Sequence, residues 1–165
     1  MEQLQEIVLA GEPILKEKAL PVQEIDGKVK ETLDLLVKTM YDYKLTGLTA
    51  PQIGIPWRIM VLDIGDGNLF EMINPVLGNF GVPVRTTERC PSVPCFEGTL
   101  FRAETLTCEF YDRQGRWLRL EARGMLAVAI QHEYDHLDGM LFTDKAVDIM
   151  KLPLPELPAD TKIRI

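Results

Sequence analysis

Both histidines of this 165-residue chain fall within five residues, His132-Glu133-Tyr134-Asp135-His136. They follow directly on an apolar segment, Met125 to Ile130. On a helix the two imidazoles lie four residues apart on one face, where both can grip a single metal ion. Glu133 stands beside the first of them, in position to deprotonate a water that the metal activates. Two unrelated polar residues on a solvated helix face would not follow an apolar run in a chain with no other histidine. The pattern sets one helix against apolar neighbours and points to a metal-dependent hydrolase.

The length suits a single domain over residues 1–165 with one core. A hydrophobic content of 46% lets that core form without staples. A net charge of −7 argues against a nucleic-acid or anionic-membrane surface. No apolar stretch approaches a membrane span. The segment Met1 to Glu6 lacks the basic start and apolar run of a signal peptide, so the expected location is the cytoplasm. Cys90, Cys95 and Cys108 make an odd count at no zinc-finger spacing, which disfavours a disulfide framework and leaves a thiol free to be a ligand.

Pro13 and Pro21 punctuate an expected extended arm with a helical turn near 14–19. Val29, Leu33, Leu36 and Met40 repeat at helical spacing, and Asp26 can cap what they predict, a helix over 27–43. Residues 47–54 read as a turn-rich strand or loop. Strands are expected over 58–63, 70–74, 83–88, 98–103, 105–112 and 116–122, with a hairpin turn at 112–116. A second long helix is expected over 125–137, stopped by Gly139. Pro153, Pro155 and Pro158 predict a proline-rich, non-helical tail over 150–165, with Lys162 to Ile165 as a candidate edge strand. Strands followed by one buried helix suggest an α+β fold, with antiparallel sheets around the helix that carries the histidines.

A catalytic site of this kind needs a third ligand and one open position. Glu156 stands at the distance used by thermolysin-like enzymes, but in the proline-rich tail, where no helix can present it. The longer metzincin pattern finds Gly139 in place but Phe142 where a third histidine is needed. The remaining candidate is an upstream cysteine. Three blocks then resemble the peptide deformylase family: Gly47-Leu48-Thr49-Ala50-Pro51-Gln52, Glu88-Arg89-Cys90-Pro91-Ser92, and Gln131 to Gly139 around the two histidines. Order and spacing agree, and the resemblance covers roughly residues 6–145.

The resemblance implies a metal held by Cys90, His132 and His136. A thiolate and two neutral imidazoles suit such a site. The family's usual metal is ferrous iron, which zinc, nickel or cobalt can replace. By the same resemblance Glu133 is the general base and then the acid toward the leaving amine. Gln52 points its amide at the formyl oxygen. Thr46, Gly47, Leu48, Glu88, Pro91, Met125, Val128 and Ala129 match substrate-binding positions. Glu88 and Arg102 match polar positions where an ion pair is expected. Cys95 and Cys108 match none and read as packing residues. The implied substrate is an N-formyl peptide or the N-terminus of a nascent chain. The proline-rich end removes any expectation of ribosome docking through a C-terminal helix.

The chain departs from the family pattern at two motifs. Leu45 stands where the first block has a glycine, which would be costly if that backbone needed positive φ. In the second block, usually E-G-C-L-S, Arg89 replaces glycine and Pro91 replaces leucine. The family uses the N–H after the cysteine as a second oxyanion donor, and proline has none. Losing one such donor costs roughly 10²–10³-fold in turnover. Either Arg89 or a water replaces it, or the substrate differs. The expected activity is removal of formyl from N-formylmethionyl peptides. The alternatives are a weak or redirected N-formyl amidase and a non-catalytic peptide-binding relative.

Overall fold

The computed structural model describes residues 3–153. After a 3-10 turn at Pro13–Lys16 comes helix α1, Gly27–Asp42. Strand β1 is Gly47–Thr49, followed by a 3-10 turn at Ala50–Ile53. Strands β2 (Ile59–Leu62), β3 (Phe70–Gly78), β4 (Pro83–Cys90), β5 (Val93–Ala103), β6 (Thr105–Tyr111) and β7 (Trp117–Arg123) lead into helix α2, Gly124–Leu137. A one-turn helix α3 (Phe142–Lys145) and strand β8 (Asp148–Lys151) complete the order.

The strands form two antiparallel sheets, one ordered β1-β2-β3-β6-β7 and one ordered β4-β5-β8. Strand β2 shows how the larger sheet is covered. All four of its residues are buried, and they alternate between two cores. Ile59 and Val61 pack with Leu33, Leu36 and Met40 of α1. Met60 and Leu62 pack with Ala127, Ile130 and Leu137 of α2. The period-2 alternation of a strand thus places α1 and α2 on opposite faces. The smaller sheet packs on α3 through Cys90, Val93, Leu100, Leu141 and Phe142, and it meets α2 through the ion pair of Arg102 on β5 with Asp135. The histidine helix therefore lies between the sheets, as the α+β reading expected.

One end of each helix is held at the residue that its sequence marked. The Asp26 carboxylate accepts from the Val29 N–H, and the Val29, Leu33, Leu36 and Met40 stripe is wholly buried. At the end of α2 the Leu137 carbonyl accepts from Arg58 Nη1 at 2.8 Å and from the Ala19 N–H. Gly139 then takes φ +75, and a Cβ there would meet the Lys16 carbonyl oxygen at 2.6 Å. Gly139→Ala combines a left-handed φ with a backbone clash, and we expect a stability loss of roughly 2–4 kcal/mol. A urea denaturation curve checks this; a loss under about 1 kcal/mol would show that the loop gives way.

The structure corrects several expectations. The first turn is shorter than 14–19. Strand β3 runs on to Gly78, and β5 starts at Val93 rather than 98. Helix α3 and strand β8 were not expected at all, and β8 makes residues 150 and 151 part of the smaller sheet rather than of a tail. Leu45 does not take positive φ; Lys44 beside it does, at +55, so the substitution at 45 carries no backbone strain. Lys162 to Ile165, and with them the candidate edge strand, lie outside the described residues.

Candidate metal and active site

Helix α2 presents His132, Glu133 and His136 toward the end of β4, where Cys90 stands. One ligand atom each from Cys90, His132 and His136 lies within 4.8 Å of the others. His136 Nε2 is 3.4 Å from Cys90 Sγ, and the two imidazole planes cross at 73°. His132 Nδ1 meets Glu88 Oε1 at 2.7 Å, which leaves Nε2 for the centre. A carboxylate behind a ligand histidine fixes its tautomer and its ring plane.

Glu88 is itself gripped. Arg102 donates to it from Nε at 2.9 Å and from Nη2 at 2.8 Å, and Thr86 donates its hydroxyl at 2.7 Å. Burial pushes the Glu88 carboxyl up, but these bonds and the one from His132 outweigh it and hold it down at about 2. Arg102 reaches on to Asp135 at 2.6 Å, and Lys145 pairs with the other oxygen of Asp135 at 2.9 Å. The Phe142 ring stacks on His132 with centroids 6.2 Å apart. It fits there because position 98 is glycine: a Cβ would sit 2.6 Å from the ring.

Gln52 is oriented just as firmly. Its Oε1 accepts from the Thr49 N–H and the Thr49 hydroxyl, at 3.1 and 3.0 Å. That turns Nε2 toward Ser92 Oγ at 3.1 Å and Cys90 Sγ at 3.7 Å. The N-terminal arm ties both loops in place: Val8 N–H donates to the Gln52 carbonyl and Ala10 N–H to the Ser92 carbonyl.

Glu133 is buried, and its Oε2 has no hydrogen-bond partner. Burial pushes its carboxyl up, to about 7, against the pull of His132. It lies against Gly47, where a Cβ would come within 2.8 Å of its side chain. Burial, followed by the nearby charges of His132 and Arg102, drives His136 well below the usual imidazole range, so its ring is neutral. At His132 burial also favours the neutral ring, but bonding to Cys90 and Glu88 prevails and raises it to about 10. A thiol, two imidazoles and a partnerless carboxylate therefore converge where positive charge is wanted. A divalent cation fits this donor set.

A groove of about 540 Å³ opens onto this centre. Thr46, Gly47, Glu88, Pro91, Met125, Val128, Ala129, His132 and Glu133 all line it. Leu48 does not. Its side chain is fully buried among the residues that pack on α1, because β1 turns alternate residues to opposite sides. Arg89 borders the groove, but its Nε donates to Glu97 at 3.2 Å and its side chain is 65% exposed, so it is turned outward rather than held at the position of the donor that Pro91 lacks.

Among proteins of known sequence, the polypeptide deformylase family model matches residues 4–151. The chain is 44% identical to the peptide deformylase of Pelotomaculum thermopropionicum over 146 residues, which cover 88% of this chain and 94% of that one. The chain belongs to the peptide deformylase family. It is 42% identical to the peptide deformylase of Carboxydothermus hydrogenoformans, covering 88% of this chain and 95% of that one. The crystal structure of peptide deformylase from Thermotoga maritima superposes with a TM-score of 0.85 at 32% identity, over 89% of this chain and all of that one. That of Synechococcus elongatus in complex with actinonin gives 0.83 at 34% identity, over 87% and 79%. Peptide deformylases are hydrolases that use a single metal ion and remove the formyl group from N-formylmethionyl peptides, and that is the activity of this chain. The family resemblance also supplied Cys90, which spacing alone had left open. Several contributors to the site escaped the sequence reading. Asp135 was in plain view inside the histidine motif, whereas Lys145, Phe142 and Gly98 carry no local signal.

Proposed function

We propose that Cys90, His132 and His136 hold the metal ion of this deformylase, and that ferrous iron is the native ion, with zinc, nickel or cobalt able to replace it. The reading rests on one observation: these three donors converge within 4.8 Å beside a buried carboxylate that has no partner of its own. When bound, the ion acts as a Lewis acid that acidifies water and polarises the formyl carbonyl.

The remaining work belongs to the side chains. Glu133 takes a proton from the attacking water on its free Oε2 and delivers it to the departing amine. Burial that raises its affinity for a proton suits both halves of that cycle. Gln52 Nε2, fixed by Thr49, donates to the carbonyl oxygen as negative charge grows there. Gly47 leaves room for Glu133 and for a peptide backbone beside it. Met125, Val128 and Ala129 wall the slot for the methionine side chain, and Thr46 and Glu88 line the approach. The groove lies between β1 and β4, each of which has an open edge among the described residues, so it suits a peptide in extended form.

Pro91 leaves the oxyanion with Gln52 and without a backbone donor at position 91. Pro91→Leu is expected to raise kcat on formyl-Met-Ala-Ser, by up to the roughly 10²-fold that one such donor contributes. An unchanged kcat would show that the missing N–H does not limit turnover. The assay that tests the function itself is formate release from formyl-Met-Ala-Ser by anaerobically prepared, iron-loaded protein. Acetyl-Met-Ala-Ser is the control and should be spared. The substrate in this reading is the N-terminus of a formylated nascent peptide, and the location that agrees with such a substrate is the cytoplasm.

A further inference from the structure

We propose that Arg85 and Arg89 form a cationic rim that selects formyl peptides with acidic side chains at their second and fourth positions. The inference rests on the deformylase reading and adds a substrate preference to it. Strand β4 alternates: Glu88 and Cys90 turn inward, whereas Arg85, Thr87 and Arg89 are exposed. Among the described residues the strand pairs only with β5, which leaves its other edge open, and residues of both its faces border the groove. A peptide extended along that edge alternates in the same way. With its methionine directed at Met125, Val128 and Ala129 on α2, its second and fourth side chains emerge on the opposite face, that of the two arginines. Arg85 and Arg89 stand about 13 Å apart along the strand, and the two peptide side chains about 7 Å apart, so both fall within the rim.

Both guanidinium groups can engage a new partner. Among the described residues the Arg85 side chain has no hydrogen bond or ion pair. Arg89 uses only Nε, on Glu97, which leaves its terminal nitrogens open. Among the acidic groups on the groove, Glu88 is neutralised by Arg102 and Glu133 is buried. Glu104, whose N–H donates to the Val82 carbonyl just before β4, stands at the Arg85 end, and Glu97 takes up Arg89 Nε, so these two offset part of the rim's charge. The overall charge of −7 does not oppose the rim, since charges more than about 10 Å away are screened at ordinary ionic strength.

The test compares kcat/KM for formyl-Met-Glu-Ser-Glu and formyl-Met-Lys-Ser-Lys at low and high salt. Exposed pairs are individually weak, so the expected preference for the acidic peptide is about fivefold to tenfold at low salt and shrinks as salt rises. Arg85→Ala with Arg89→Ala should bring the ratio near one, and Arg85→Glu with Arg89→Glu should invert it. A ratio near one in the native protein, or one indifferent to charge reversal, overturns the rim. Formyl-Met-Ala-Ser-Ala separates the two readings, because failure to turn over this neutral peptide counts against the deformylase assignment and not against the rim. In that event calorimetric binding of Met-Glu-Ser-Glu and Met-Lys-Ser-Lys decides the charge preference by the same criterion.

Discussion

Glu133→Ala is expected to cut formate release by about 10²–10⁴-fold, the range that a positioned acid–base group supplies, while leaving metal stoichiometry unchanged. The two halves of that expectation come from different features of α2. Glu133 contributes no ligand to the converging set, so its loss leaves Cys90, His132 and His136 in place. Its Oε2 makes no hydrogen bond, so truncation breaks no structural contact at that atom. A carboxylate this deeply buried without a partner is costly to keep, and a chain that tolerates it gains proton transfer in return. Gly47→Ala should give a milder version of the same defect, because the added Cβ displaces Glu133 rather than removing it. Residual turnover within about threefold of native in Glu133→Ala would move the base elsewhere.

Glu88→Ala should damage both stability and metal binding. It leaves the Arg102 guanidinium buried with only Asp135 to balance it, and removing one member of a buried pair costs about 3–5 kcal/mol. An exposed pair such as Lys38–Asp42 contributes well under about 1 kcal/mol, so the two cases are easily told apart by urea denaturation. The second effect is on His132, whose Nδ1 loses its acceptor. Removing such a carboxylate weakens metal binding by about 10–100-fold. A variant that binds metal as tightly as native protein, despite being less stable, would show that the ring is positioned by Phe142 and not by Glu88.

The parts of this account legible in the sequence are those set by short-range pattern. The α1 stripe, the Asp26 cap, the turn at 112–116 and the pairing of imidazoles on α2 all depend on residues within four or five positions of one another. The ion pair between Glu88 and Arg102 came from the family resemblance, and the structure bears it out. What the sequence hid depends on contacts made far along the chain. Strand β8 has all four residues exposed and no alternation, and it exists because β5 offers an edge. Helix α3 is a single turn that seats Phe142 over Gly98. The misplaced expectation for Leu48 has the same origin: the motif carries a backbone position to the groove, but the alternation of β1 sends that side chain to the core.

In the proposed site Cys90, and neither of the other two cysteines, joins the histidines around one ion. Cobalt(II) titration of the metal-free protein, followed through the thiolate-to-cobalt charge-transfer band, tests this most directly. Saturation is expected at one equivalent, with a band that disappears in Cys90→Ser and persists in Cys95→Ser and Cys108→Ser. Cys108 is the least able to substitute, since burial pushes its thiol up to about 12. A band that survives Cys90→Ser, or cobalt that binds with no thiolate band at all, would contradict the proposed ligand set.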